Sequence, residues 1–198
     1  MDKKEIQELR IKSYFIEAAK EILKGEGLRS VSVRNVADRA GYSYATLYNY
    51  FKDIKDLIFE CVKDFQEECR IAVQKDSKKS EQGLTKIKSI TQAYMKFFIQ
   101  YPGIFELFYL EKTSDIASKR QPTIEVIYSF LDRLCEEEWN YSIENKLVSE
   151  KQKAKMSSEL RYIVLGILVL YLSRKHPASY KEFIAISEEQ INNILGLS

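Results

Sequence analysis

The sequence predicts an all-α protein, with a three-helix head at the N-terminus and a larger helical bundle behind it. Three observations carry that expectation. Only 7 Gly and 3 Pro occur in 198 residues, too few breakers for a turn-rich β fold. Apolar residues recur at helical spacing along nearly the whole chain, and no segment alternates with the period of a strand. Hydrophobic residues make up 45% of the chain, enough to bury a sizeable core, which excludes a disordered chain.

The elements follow in order. From Lys4 to Lys24 the apolar positions Ile11, Phe15, Ala18, Ala19, Ile22 and Leu23 share one helical face, and Gly25 and Gly27 end the helix. Leu28 to Val31 is a short connector. Ser32 can cap a second helix that turns Val33, Val36, Ala37 and Ala40 inward, and Gly41 stops it. Ser43 can cap a third, Tyr44 to Tyr50. After Phe51, Lys52 and Asp53, a fourth is expected from Ile54 to Val73. Lys75 to Gln82 reads as a polar loop, and Leu84 to Gln100 as a helix closed by Tyr101, Pro102 and Gly103. A short aromatic helix, Ile104 to Leu110, is followed by a polar stretch, Lys112 to Arg120. Pro122 fits the first turn of a helix reaching Asn140. Glu150 to Lys175 is the most apolar helix, and Pro177 is expected to open the last one, ending near Leu195.

Several function classes are poorly supported. Met1 to Glu5 is charged and lacks a signal-peptide core. The longest apolar run, Tyr162 to Leu172, would rise only about 16 Å, roughly half a bilayer core, so a buried helix and a cytoplasmic protein are expected, with no membrane partner. Cys61, Cys69 and Cys135 form no metal-ligand spacing and read as reduced thiols in helices, a redox sensor being the minority alternative. The lone histidine, His176, precedes Pro177 and reads as a helix-entry residue. There is no Gly-rich phosphate loop, no HExxH and no nucleophile elbow, so neither enzyme, cofactor nor metal is expected. Glu136, Glu137 and Glu138 read as a solvated acidic patch. A formal net charge of +2 does not advertise a nucleic-acid partner; positive charge would have to gather on one face.

The informative segment is 32–51, SVRNVADRAGYSYATLYNYF. Two short helices joined at Ala40, Gly41, Tyr42 and Ser43 carry small or branched inward residues, Val36, Ala37, Ala40 and Leu47. Such residues let helices cross closely and steeply, as a helix-turn-helix needs if its second helix is to enter a major groove about 12 Å wide. Tyr44, Ala45 and Thr46 would then face base edges, with Tyr48, Asn49 and Tyr50 one turn on. The hydroxyls of Ser43, Thr46 and Tyr48 and the free amides of the helix start suit phosphate oxygens. The competing reading is a plain helical hairpin in a bundle, which would not need exposed tyrosines beside a hydroxyl-rich helix start.

This stretch resembles the tetracycline-repressor (TetR) family, over roughly Arg10 to Val62. The resemblance is carried by Ala18-Ala19, Gly27, Ser32-Val33-Arg34, Val36-Ala37, Ala40-Gly41, Ser43, Thr46-Leu47-Tyr48, Tyr50-Phe51 and Leu57. It implies a two-fold dimer on a palindromic double-stranded DNA operator, released by a small molecule held in the body. Two positions depart from the family pattern: Tyr42 stands where Val is usual, and Ile54 where a Lys is usual, three residues after Phe51. Phosphate contacts must then come from Lys52, Lys55, Arg34 or the first-helix residues Arg10 and Lys12. Tyr44 and Ala45 offer no hydrogen-bonding fork, so apolar contact with thymine methyls is the available readout.

The division expected is a DNA-binding head, residues 1–53, and a ligand-sensing and dimerisation body, 54–198. In the body Tyr94, Phe98, Tyr101 and Phe105 recur at helical spacing beside Phe97, Phe108 and Tyr109. Ile124, Ile127, Tyr128, Leu131, Cys135 and Trp139 make a second apolar stripe. Any one of these reads as core; together, so many phenols suit a pocket for a small hydrophobic or aromatic effector, lined by Tyr94, Phe98, Tyr101, Phe105, Phe108, Tyr128 and Trp139. The all-round apolar run Tyr162 to Leu172, with Ile184, Ile191, Ile194 and Leu195 on the last helix, reads as a four-helix homodimer interface, internal core being the alternative. A DNA-binding dimer controlled by a protein partner would lack the small-molecule pocket.

Overall fold

Asp2 opens the first helix by accepting hydrogen bonds from the amides of Lys4 and Glu5, while the Glu5 carboxylate accepts from the Asp2 amide at 2.8 Å. This reciprocal cap satisfies amides that have no partner inside the helix. The computed structural model describes residues 2–112 and 120–197, all of them helix, turn or connector. They fall into two compact units, one of Met1–Glu67 with Tyr101–Ile127, the other of Glu68–Gln100 with Tyr128–Ser198.

The first unit holds α1 (Lys3–Gly25), a 3₁₀ turn (Leu28–Ser30), α2 (Val33–Ala40), α3 (Tyr44–Leu47) and the start of α4 (Ile54–Ser77). It also takes in α6 (Pro102–Phe105), the π-helical turn Glu106–Leu110 that continues it, and most of α7 (Arg120–Tyr128). The sequence boundary between residues 53 and 54 falls at the first residue of α4. The apolar face expected on the first helix is the one buried: Phe15, Ala18, Ala19, Ile22 and Leu23. Lys20 is buried beside them, with its ammonium 2.9 Å from Glu17 and 3.5 Å from Asp64, tying α1 to α4. Gly103 sits where α6 meets the end of α1, and a Cβ there would stand 2.9 Å from the Leu23 carbonyl oxygen.

The second unit holds α5 (Leu84–Gln100), α8 (Phe130–Leu134), α9 (Glu136–Glu144), α10 (Glu150–Leu172) and α11 (Tyr180–Leu195). Its core gathers Ile87, Tyr94 and Phe98 from α5, Trp139 from α9, Leu160 and Leu168 from α10, and Phe183 and Ile191 from α11. Arg161 reaches back to hydrogen-bond Asp132, and Lys88 pairs with Glu188 at 2.7 Å. Among the described residues, no helix is long and apolar enough to cross a membrane.

Several expectations need correction. The third helix is regular only to Leu47, although Tyr50 and Phe51 still donate to the Leu47 carbonyl at 3.0 Å. α5 ends at Gln100 as expected, but Pro102 also opens α6, so Tyr101 and Phe105 lie beyond the helix that carries Tyr94 and Phe98, and the four do not share one helical face. The helix expected to run to Asn140 is interrupted at Ser129 and Cys135, whose ψ values of 4° and −1° bend the chain without Gly or Pro. Pro177 precedes the last helix, which Ser179 caps by accepting from the Glu182 amide at 3.2 Å. Glu138 is not solvated: it is buried, accepts from the Gly83 amide at 2.8 Å and lies 3.9 Å from Lys86. The fourth helix runs on to Ser77, shortening the loop, and residues 113–119 of the expected polar stretch lie outside the described residues. Cys61, Cys69 and Cys135 are buried free thiols, as expected of packing residues. Burial pushes all three above the ordinary thiol range, which disfavours the reactive thiolate.

The contact at Gly103 gives a direct check of the first unit. Gly103→Ala must push α6 off α1, because the obstructing atom is backbone. A loss of about 1–3 kcal/mol in chemical denaturation is expected, the usual scale for overpacking; an unchanged midpoint would show that the two segments yield freely.

Candidate nucleic-acid interface

The helix pair at 33–47 is built by three local devices. The Ser32 hydroxyl accepts from the Asn35 amide at 3.1 Å, and the Asn35 side chain returns to the Ser30 carbonyl at 2.9 Å, fixing the entry to α2. Gly41 takes the left-handed conformation, φ 75°, and the Tyr42 amide donates back to the Ala37 carbonyl at 3.0 Å. An L side chain at that φ would be strained, which is why Gly stands at the turn. The Ser43 hydroxyl then accepts from the Thr46 amide at 3.1 Å and lies 2.9 Å from the Thr46 hydroxyl. Both hydroxyls are engaged in the cap.

Val36 and Ala37 of α2 and Leu47 of α3 are buried, as expected of the inward positions. Behind them the Phe15 ring is completely enclosed. Tyr42 lies 5.5 Å away between ring centres, Tyr50 6.2 Å and Phe51 6.4 Å, the last edge-on. Tyr42 also stacks on Tyr14 at 6.2 Å, so the tyrosine that stands where the family usually has Val holds the turn to two neighbouring rings of α1. Tyr50 is therefore a half-buried supporting residue rather than one of three exposed tyrosines.

The outer side of α3 carries the remaining predicted residues. Tyr44 is 66% exposed and Tyr48 53% exposed, with Ala45 and Asn49 also exposed and Thr46 half-buried. Arg34 is exposed and 4.0 Å from Asp38. Lys52 is exposed and Lys55 half-buried, while the Lys12 ammonium lies 5.6 Å over the Phe51 ring. Ile54 lines a mixed cleft of about 460 Å³ with Leu28, Val31, Ile58 and Leu110 and the charged Arg29, Glu111 and Lys112. The residue at the usual lysine position thus serves packing and brings no charge. Sequence reasoning missed Glu5 and Glu8, which share a groove with Asn49 and Tyr50. Their two charges oppose phosphate there, while Lys12 of the same groove attracts it.

The predicted effector residues divide between the two units. In the second, Tyr94, Phe98 and Trp139 are fully buried, with Tyr94 packed edge-on to Phe98 at 4.8 Å and tilted to Phe130 at 5.8 Å. Tyr128 is exposed there; its hydroxyl meets that of Tyr162 at 2.8 Å, and the Arg161 guanidinium lies 4.2 Å over its ring. In the first, Phe105 and Phe108 are buried and both pack against Tyr109, while Tyr101 lies under the Lys24 ammonium at 5.5 Å.

Residues 15–61, which hold this whole helix pair, match the family model of bacterial regulatory proteins of the tetR family. Over the full chain the fold is that of several solved structures. A TetR family transcription regulator from Marinobacter aquaeolei VT8 superposes with a TM-score of 0.64 at 14% identity, covering 98% of each chain. FadR from Bacillus subtilis, solved in complex with stearoyl-CoA, gives 0.66 at 14% identity over 92% of this chain and 97% of that one. The fatty acid degradation regulator FadR from Bacillus halodurans gives 0.65 at 14% identity, over 94% and 95%. The first unit thus carries a helix pair similar to that of bacterial regulatory proteins of the tetR family, on a fold shared with solved transcription regulators. The chain resembles the TetR family of transcription regulators, in sequence over residues 15–61 and in fold over nearly its whole length.

The exposed residues separate positioning from reading. If Lys52 meets phosphate in a two-fold dimer, Lys52→Ala on a duplex carrying the preferred site would remove two phosphate contacts. The slope of log affinity against log salt should flatten by about 1.8. Tyr44→Ala should keep the slope and relax sequence preference, since base contacts specify. An unchanged slope for Lys52→Ala would place the phosphate contacts elsewhere on the head.

Proposed function

We propose that this protein is a homodimeric repressor that binds a palindromic operator through α3 and leaves it when an apolar effector enters the body. The observation that carries the reading is the Ser43-capped α3, which keeps Leu47 inside and turns Tyr44, Ala45 and Tyr48 outward. Two such heads related by a two-fold axis would read inverted half-sites about one helical turn apart.

Dimerisation is supported by α10. Ile167 and Leu168, expected at the interface, are buried within the chain's own core, and so are Ile191 and Leu195 of α11. The outward row is Tyr162, Gly166 and Leu170, one turn apart; Tyr162 is 61% and Leu170 44% exposed. Ile163 and Ile194 border it, lining a shallow groove between α10 and α11. Exposed apolar residues in a row mark an association surface. Gly166 has open space where its Cβ would be, so nothing within the chain requires a glycine there. A glycine inside a helix costs about 1 kcal/mol relative to Ala, and close approach of a partner helix accounts for it.

The effector reading rests on the aromatic core. Tyr94, Phe98 and Trp139 are fully buried apolar side chains with one phenol among them, and an effector that reaches them has to open their packing. The structural neighbour solved with stearoyl-CoA makes a long-chain acyl thioester a suitable first probe. For release, the effector must favour the conformation that misplaces the heads.

Two experiments test the proposal. Gly166→Leu should raise intrinsic helix stability yet shift the protein from dimer to monomer in light scattering; a variant that stays dimeric would move the interface off α10. Stearoyl-CoA added to the operator complex should lower DNA affinity about 5–150-fold, the ordinary range of allosteric coupling, and Phe98→Leu should weaken that response while sparing DNA binding. No change in anisotropy with acyl thioesters or small aromatics would argue against a small-molecule effector in this core.

A further inference from the structure

A cleft of about 320 Å³ lies between α5 and α11, lined by none of Tyr94, Phe98 or Trp139. Its apolar part is Ala93, Met95, Phe183 and Ile184. The Tyr180 and Phe183 rings stand nearly parallel there, 6.3 Å apart between centres with 10° between planes. The volume is at the lower end of the range for small-molecule sites, about 300–1,000 Å³. Ile184, expected in the dimer stripe, faces this cleft instead.

The polar groups of the cleft are unequal. Lys96 is already bound to Asp76 at 2.7 Å, so the rim presents no unbalanced charge. Ser89 accepts from the Ser80 hydroxyl at 2.6 Å and donates to the Thr85 carbonyl at 3.2 Å. Ser187 differs: it lines the cleft, is buried, and its hydroxyl has no hydrogen-bond partner. A buried hydroxyl left unpaired is unfavourable, and folded proteins satisfy nearly all such groups. A ligand that brings a hydrogen-bonding head beside Ser187 and an apolar body against Met95 and Phe183 would relieve it. A charged head finds no uncompensated partner and would lose its hydration.

We propose that the α5–α11 cleft is a second ligand site, selective for a small neutral amphiphile of phenol-like size, with Ser187 holding the polar head. The site is independent of the effector reading of the aromatic core, and its failure leaves that reading untouched.

Methyl-labelled methionine gives a clean test, because the chain has 3 Met. Met95 lines this cleft and Met156 lines the groove between α10 and α11. Titrating the full-length protein with p-cresol should shift the Met95 methyl resonance and leave Met156 in place. The anion 4-methylbenzoate should bind at least about 10-fold more weakly. Ser187→Ala should lower p-cresol affinity about 10-fold, the loss expected for one neutral hydrogen bond with its desolvation. The same variant should leave the thermal midpoint unchanged or higher, since it removes an unpaired buried hydroxyl. Four results would each overturn the proposal: a Met95 signal that does not move, movement at Met156 instead, equal affinity in Ser187→Ala, or a marked drop in that variant's midpoint.

Discussion

The enclosure of one ring, Phe15, is the constraint on which the head depends. Its neighbours come from three places: Tyr42 from the turn between α2 and α3, Tyr50 from just beyond α3, and Phe51 from the approach to α4. An α3 of four regular residues has almost no stability of its own, because helix nucleation is unfavourable and few bonds follow it. It persists because its two ends are fastened to the same buried ring. With Leu47 anchored inside, the residues between can only face outward, and Tyr44 and Tyr48 do. Packing on one face thus produces exposure on the other.

The same logic explains the two departures from the family pattern. Tyr42 gives the cluster a larger member, and its stacking on Tyr14 ties the turn to α1. Ile54 adds an apolar wall against the 3₁₀ turn rather than a cation toward DNA. Any charge this head offers to a phosphate backbone would have to come from side chains that packing leaves exposed, Arg34 and Lys52 among them. A net charge of +2 is compatible with this, since only the local balance matters at distances near the Debye length, about 8–10 Å.

Much of the head was legible in the sequence because its instructions are local. Ser32, Gly41 and Ser43 each act on the next few amides, and each does what its residue type predicts. Less of the body was legible. Ser129 and Cys135 bend the chain with no Gly or Pro to announce it, the bend being imposed by tertiary packing. A helix that is apolar all round, such as Tyr162–Leu172, does not say which residues face inward. Only the fold separates the buried Ile167 and Leu168 from the exposed Tyr162 and Leu170. The spacing of Tyr94, Phe98, Tyr101 and Phe105 suggested one face, but Pro102 starts a new helix within it. In the candidate interface, residue types pointed to Tyr44 and Tyr48 correctly as exposed. The inward pull on Tyr50 depends on Phe15, 35 positions away, and no local pattern encodes it.

The proposed function requires that α3 meet DNA as one of a symmetric pair. Selection of bound sequences from a pool of random duplexes tests that most directly. An enriched inverted repeat, with half-site centres about one helical turn or a multiple of it apart, is the result expected. A pool that emerges with no enrichment, or with a single unrepeated half-site, would contradict it.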